Sequence, residues 1–318
     1  MGHRRARLIA LLGLALLGVG LLVWRTSRPA GAPPIPGYVR SWVVFDQQTG
    51  RPVQPWRVVI DAAGTFYVLD RNYGKLHIVP RNGQPYQTIG QYGSGQQELK
   101  MPYDLVLDRN GCLWVADKLN QRLQKLSRTG KFLGTWGKAG SRPGEFSFPA
   151  GITLDSQANI YVLDRENHRV QIFSPQMQFL RQWGSPGNQP GGLASPEAIT
   201  IDRQDNLYIL DKMKCQVQKF DLHGKLLGQW GSPGTGPGQF RGPAQLLEGP
   251  DGTLYVADIG RNDIQRFDSH GRLLGSFGSY GAGRGEFNNP RGMAFDGQGH
   301  LFIADCYNNR VQEWAYRK

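Results

Sequence analysis

The chain has 318 residues, of which 39% are hydrophobic and 19% charged, so it can bury a sizeable core and is not a disordered polypeptide. Its three cysteines, Cys112, Cys215 and Cys306, show no motif spacing, and their odd number points away from a disulfide framework. The formal charge is +12, but residues 1–40 supply six arginines and no acid, leaving 31 Lys and Arg against all 25 acids; so modest a surplus matters by its placement, not its size.

Residues 1–7 form a basic tail with Arg4, Arg5 and Arg7. Leu8 to Trp24 is an uncharged apolar run of 17 residues, read as one N-terminal hydrophobic helix. The favoured expectation is an uncleaved signal anchor, with those arginines in the cytoplasm and the rest of a single-pass protein outside it, in the cell envelope. A cleaved signal peptide and a secreted product compete with it, because Ala30-Gly31-Ala32 offers small residues for processing; Pro33 just after the cut and Arg25, Arg28 and Pro29 before it speak against cleavage. Residues 25–37 are proline-rich and read as a stiff spacer.

From residue 38 to 318 the chain repeats itself. A short apolar strand ending in aspartate recurs six times at intervals of 47 residues, at Asp70, Asp117, Asp164, Asp211, Asp258 and Asp305. Prolines 55, 102, 149, 196, 243 and 290 keep the same step, as do Trp136-Gly137, Trp183-Gly184, Trp230-Gly231 and Phe277-Gly278. Within the third repeat, Gly151–Asp155, Ile160–Asp164, Arg169–Phe173 and Phe179–Gly184 alternate as short strands between polar turns. Four antiparallel strands per unit, six times over, predict an all-β six-bladed β-propeller. The last repeat stops after its third strand, whereas Tyr38–Val43 falls in the register of a fourth strand without a blade. An N-terminal strand closing the last blade would pair the edge left open there.

The units resemble the NHL repeat, whose apolar strand ending in Asp is followed by an Asn-x-Arg-Val-Gln stretch. Asp117…Asn120-Gln121-Arg122-Leu123-Gln124, Asp164…Asn167-His168-Arg169-Val170-Gln171 and Asp305…Asn308-Asn309-Arg310-Val311-Gln312 carry it. Tyr73 and Lys75, Lys214 and Gln216, and Arg261 and Asp263 replace the Asn and Arg in the other three blades. The resemblance implies that loops between second and third strands share one face around the central channel. On that face the cations outside the signature are Arg71, Lys118, Arg165, Lys212, Lys214 and Arg261, a basic patch for an acidic partner. The second residue after each repeat proline is small at Gly151, Ala198 and Gly292, but Arg57, Asp104 and Gln245 break that pattern, with Glu197 and Arg291 one position earlier. These five are candidate ligand contacts at the channel mouth, or, for Arg57 and Asp104, an internal ion pair.

Catalytic signatures are missing. Propeller lyases similar at the level of fold use converging histidines, whereas here His77, His168, His223, His270 and His300 scatter over strands and both faces. Asp104, Glu197 and Gln245 would supply only part of a calcium site, opposed by Arg57 and Arg291. No cofactor, no metal and no catalytic residue are therefore expected. The reading is a membrane-tethered, extracytoplasmic binding propeller, monomeric, that takes a protein or acidic polymer on its basic face. A lyase- or lactonase-type enzyme at the channel mouth and a ligand sensor are the alternatives. Nucleic acid, which other NHL domains bind, would not be met outside the membrane.

Overall fold

A computed structural model of the protein describes residues 34–81 and 86–316. The apolar run of residues 8–24 and most of the spacer lie outside the described residues, among which no helix is long and apolar enough to cross a membrane.

Six four-stranded antiparallel sheets surround a central channel. Five innermost strands begin at the repeat prolines, as in Pro55–Ile60, Pro149–Leu154 and Pro290–Phe295, and that of the second blade begins two residues later, at Asp104. The second strands end on the repeat aspartates, as in Leu113–Asp117 and Ile160–Asp164, and every residue of both is buried. Third strands such as Arg169–Phe173 follow, and outermost ones such as Phe179–Trp183 alternate between exposed and half-buried residues. The second strand is apolar throughout because neighbouring blades cover both its faces, while the outermost has only one covered face.

Each seam between blades is filled by one hydrophobic cluster drawn from both neighbours. Tyr67, Leu69 and Leu76 of the first blade meet Leu105, Val115 and Leu126 of the second, and Tyr161, Leu163 and Ile172 of the third meet Ile199, Ile209 and Phe220 of the fourth. No blade has a core of its own. At the channel the innermost strands approach so closely that side chains become limiting. A Cβ on Gly292 would stand 2.7 Å from the Arg57 Cα, which explains the recurrent small residue at this position.

The ring closes across the termini. Gly37–Trp42 pairs antiparallel with Arg310–Ala315 as the fourth strand of the sixth blade, with Trp42 opposite Val311. The Trp42 ring meets Phe66 and Phe302 edge-on at centroid distances of 5.3 and 5.8 Å, so the closing strand also ties the sixth blade to the first. One expectation is corrected. The end of the segment read as spacer is docked on the propeller: Ile35 packs into the seam of blades five and six, against Gly275, and the Pro34 carbonyl accepts a hydrogen bond from Arg266 at 3.1 Å.

Removing residues 1–44 takes away the closing strand and opens an apolar edge, so the thermal midpoint should fall by about 10 °C or more, several kcal/mol at roughly 2–4 °C each. Removing residues 1–33 should leave it unchanged. Equal midpoints for the two truncations, measured by calorimetry, would show that the strand is dispensable.

Candidate functional site at the channel mouth

Every second strand delivers its aspartate to the same end of the channel, and the six carboxylates are 2% exposed or less. In the second blade Asp117 accepts the Lys100 amide at 2.7 Å, the Asn120 amide nitrogen at 2.7 Å and the Arg122 Nε at 2.9 Å. The rest of the Arg122 guanidinium donates to the carbonyls of Ser94, Gly95 and Glu98 in the loop entering the blade. Asp164 with Arg169, and Asp305 with Arg310, repeat this network. Burial pushes the Asp117 and Asp164 carboxyls up, and the arginine and amide donors act against it.

Two cations of the expected patch belong to this framework. The Lys214 ammonium reaches the carbonyls of Gln189 and Gly192 at 3.0 Å each, the places that the signature guanidinium fills in other blades. Arg261 donates to the carbonyls of Thr235 and Gly236 and pairs with Asp263 at 2.8 Å. Both start from the asparagine position, three residues after the aspartate, and restore the arginine's role by a different route. In the first blade Lys75 pairs instead with Asp46 at 2.5 Å.

Arg57, Asp104 and Gln245 are likewise occupied inside the channel. The Arg57 Nε donates to Asp104 at 2.6 Å between adjacent blades, and Asp104 accepts the Ile152 amide of the third blade at 3.0 Å. Gln245 accepts the Met293 amide of the sixth blade at 2.6 Å. Where other blades have glycine or alanine, these side chains staple one innermost strand to the next.

The other candidates converge. The residues directly after the six aspartates are Arg71, Lys118, Arg165, Lys212, Ile259 and Cys306, and those directly after the six prolines are Trp56, Tyr103, Ala150, Glu197, Ala244 and Arg291. Together they form two concentric rings at the mouth. Trp56 and Tyr103 make its floor, edge to face at 5.4 Å with Ala150 and Cys306, and the Trp56 Nε1 donates to the Tyr103 carbonyl at 3.2 Å. The Tyr103 hydroxyl donates to Glu197, two blades away, and so spans the channel. Arg165 grips the same Glu197 at 2.8 Å and donates to the Ser195 hydroxyl at 3.0 Å.

Three cations are held by rings rather than by carboxylates. Guanidinium carbons of Arg71 and Arg291 lie 4.0 and 3.7 Å from the Trp56 centroid, and the Lys118 ammonium lies 4.7 Å from Tyr103 and 5.2 Å from Phe148. Arg291 donates through Nε to Asn289 at 2.6 Å, and its terminal nitrogens make no hydrogen bond among the described residues. The buried Nε of Arg71 has no hydrogen-bond partner among the described residues. Burial first, then the charges of Arg71 and Arg165, lower the Lys118 amine to about 8, and burial also pulls Arg71 down. Four cations thus surround one floor carboxylate, with Glu166 beside Arg165 at the rim. Lys212 sits in the same ring, and its side chain makes no hydrogen bond, ion pair or cation–π contact among the described residues.

The aromatic floor has no counterpart among the residues singled out from the sequence: directly after the prolines only the charged Glu197 and Arg291 stood out. Trp56 and Tyr103 in that register were the available signal. Phe148 was hidden further, since it adopts a left-handed backbone at φ 56°, an unfavourable state for a bulky residue that persists where surroundings enforce it. Among the described residues no three His, Cys, Asp or Glu side chains gather as metal ligands. His77 fills the glutamine slot of the first blade, fully buried, and burial lowers it to about 4.

Comparison with known proteins agrees with this architecture. Residues 99–169 and 156–233 match a family described as a 6-bladed beta-propeller, and residues 287–314 match the NHL repeat. The chain is a six-bladed propeller of NHL-type repeats. No curated protein matches its sequence. Among solved structures, this propeller is similar to a streptogramin B lyase at 15% identity and a TM-score of 0.64, covering 89% of this chain and 98% of the lyase. A catalytically inactive virginiamycin B lyase from Staphylococcus aureus with quinupristin aligns at 15% identity and a TM-score of 0.61, covering 87% and 89%. An auxiliary nutrient binding protein from Bacteroides ovatus aligns at 15% identity and a TM-score of 0.64, covering 83% and 70%. At this identity the likeness concerns the fold alone.

The division between framework and mouth is open to measurement. Lys214→Ala and Arg261→Ala should each cost about 1–3 kcal/mol by leaving half-buried carbonyls unmatched, whereas Lys212→Ala should stay within about 0.5 kcal/mol. Asp104→Ala should cost about 3–5 kcal/mol, because it strands the Arg57 charge in the channel. Costs within about 0.5 kcal/mol for Lys214→Ala and Arg261→Ala in urea unfolding, the same as for Lys212→Ala, would show that they are free surface cations.

Proposed function

We propose that this propeller is a binding module whose acidic ligand is captured at the channel mouth. The carrying observation is that Arg71, Lys118 and Arg291 are held against Trp56, Tyr103 and Phe148 instead of against carboxylates. Cation–π packing fixes the position of a charge without neutralising it. Guanidinium forks left open in this way suit a carboxylate or phosphate, which they take bidentately. The flat floor beneath adds apolar contact for the body of the ligand. Glu197 is engaged by both Tyr103 and Arg165, and no histidine among the described residues belongs to the ring, which favours binding over turnover. The ligand is a carboxylate-rich protein segment or polymer, and its contact runs over the mouth rather than over the outer loops of blades four and five.

Titration of the full chain with polygalacturonate and with poly-L-glutamate tests this reading. Affinity should fall at least about tenfold when Arg71 and Arg291 are both replaced by Gln, since each lost charge-assisted contact is worth roughly 1.5–3 kcal/mol. It should also weaken with salt. The protonated Lys118 is the binding form, so affinity should be full below pH 8, decline as pH rises through about 8, and lose that step in Lys118→Met. Binding of both polymers unaffected by the double substitution would remove the mouth from the account.

The apolar run Leu8–Trp24 behind Arg4, Arg5 and Arg7 leads us to place the propeller outside the cytoplasm on a membrane anchor. An alkaline phosphatase fused after Lys318 should be active in intact cells, since it folds only outside the cytoplasm. An inactive fusion, with full-length protein present, would contradict the topology.

A further inference from the structure

Lys118 differs from the other cations of the mouth in what surrounds its amine. The ammonium lies over the rings of Tyr103 and Phe148, at 4.7 and 5.2 Å, and makes no hydrogen bond or ion pair among the described residues. Arg71 and Arg165 flank it, and the nearby acids, Glu197 and Glu166, are both engaged by Arg165. A lysine desolvated by aromatic walls and crowded by other cations is the arrangement that turns an ammonium into an amine nucleophile.

We propose that Lys118 captures the carbonyl carbon of an anionic aldehyde or ketone, one carrying a carboxylate or phosphate near its C=O group, as a reversible imine. This rests on the reading of the mouth as an anion site. The lone pair of the neutral Lys118 amine attacks the carbonyl carbon, a C–N bond forms, and one of the two amine protons passes to the carbonyl oxygen to give a carbinolamine. The C–O bond then breaks as the second amine proton passes to the departing hydroxyl, and water leaves as the C=N bond forms. Amine plus carbonyl becomes imine plus water, with no oxidant or reductant required. Arg71 and Arg291, whose forks are open, hold the anionic group, so the carbonyl carbon is delivered by the same cations that make the amine nucleophilic.

The amine near 8 leaves about a tenth of the Lys118 side chains neutral at pH 7, against fewer than about one in a thousand of ordinary lysines. Lower basicity offsets part of that gain, so a net advantage of roughly tenfold in rate is expected. The full chain is treated at pH 7 with limiting pyridoxal phosphate, reduced with borohydride, and mapped by peptide mass spectrometry, with neutral pyridoxal in parallel. Lys118 should be modified about tenfold faster than the median lysine, and faster by the phosphate ester than by pyridoxal. Inorganic phosphate should protect it, and Arg71→Gln with Arg291→Gln should remove the preference for the phosphate ester. Labelling of Lys118 at the rate of the other lysines overturns the proposal, even if phosphate binds the mouth. Fast labelling of Lys118 by both aldehydes without phosphate protection keeps the nucleophile but overturns the anion site and the ligand class. Lys118→Arg, which keeps the charge but not the nucleophilic amine, should lose the label with the thermal midpoint unchanged.

Discussion

The buried aspartate at the end of each second strand is the constraint from which the rest of this propeller follows. A carboxylate removed from water costs several kcal/mol unless donors surround it. Five copies are therefore matched by an amide of the entering loop, joined in the complete repeats by an asparagine, an arginine and a glutamine, while Asp70 accepts the amides of Asn72 and Tyr73 in the loop that follows it. The aspartate also fixes where the next residue stands. One position later the chain turns at the channel mouth, so a buried structural carboxylate generates a ring of six side chains whose identities the fold leaves free. Blades four and five show how strongly the inward requirement is enforced. The signature arginine is missing from both, yet Lys214 and Arg261 reach the same loop carbonyls from a different position.

That division explains how a regular scaffold carries an irregular site. The seams between blades are apolar and nearly interchangeable, whereas the mouth is asymmetric. Arg291, Trp56, Arg71, Tyr103 and Lys118 line the arc of blades six, one and two, Arg165 and Glu197 bound it on blades three and four, and Ile259 and Ala244 leave the fifth blade bare. Cations stacked on aromatic rings are pre-positioned without being neutralised. The Tyr103–Glu197 link holds the floor in place across the channel. On the proposed reading, an acidic ligand would meet charges already desolvated and already oriented, which lowers the ordering cost of binding.

Much of this was legible in the chain. The 47-residue period gave the blade count and the four strands, and the register of Trp42 gave the closure between the termini. The basic residues after the aspartates were legible as a group, but not which of them were free. Lys214 read as a spare cation because its partners are backbone carbonyls some 25 residues earlier, which carry no side-chain signal; the carbonyl partners of Arg261 are equally silent, and only Asp263, two residues on, marked it as paired. Arg57, Asp104 and Gln245 stood out as departures from a small residue, and the geometry makes them staples between innermost strands. The aromatic floor was missed because Trp56 and Tyr103 look like ordinary strand residues until the ring brings them together. Ile35 was hidden by its prolines, since a segment of that composition reads as a spacer until its one apolar side chain is seen in a seam.

The central claim is that the mouth holds an anion between ring-stacked cations, and anomalous scattering tests it without a choice of natural ligand. Crystals of the propeller soaked in selenate should show an anomalous peak within hydrogen-bonding distance of the Arg71 or Arg291 guanidinium, with Lys118 turned toward it. Peaks confined to lysines and arginines of the outer rim, with the mouth empty at saturating selenate, would contradict the account.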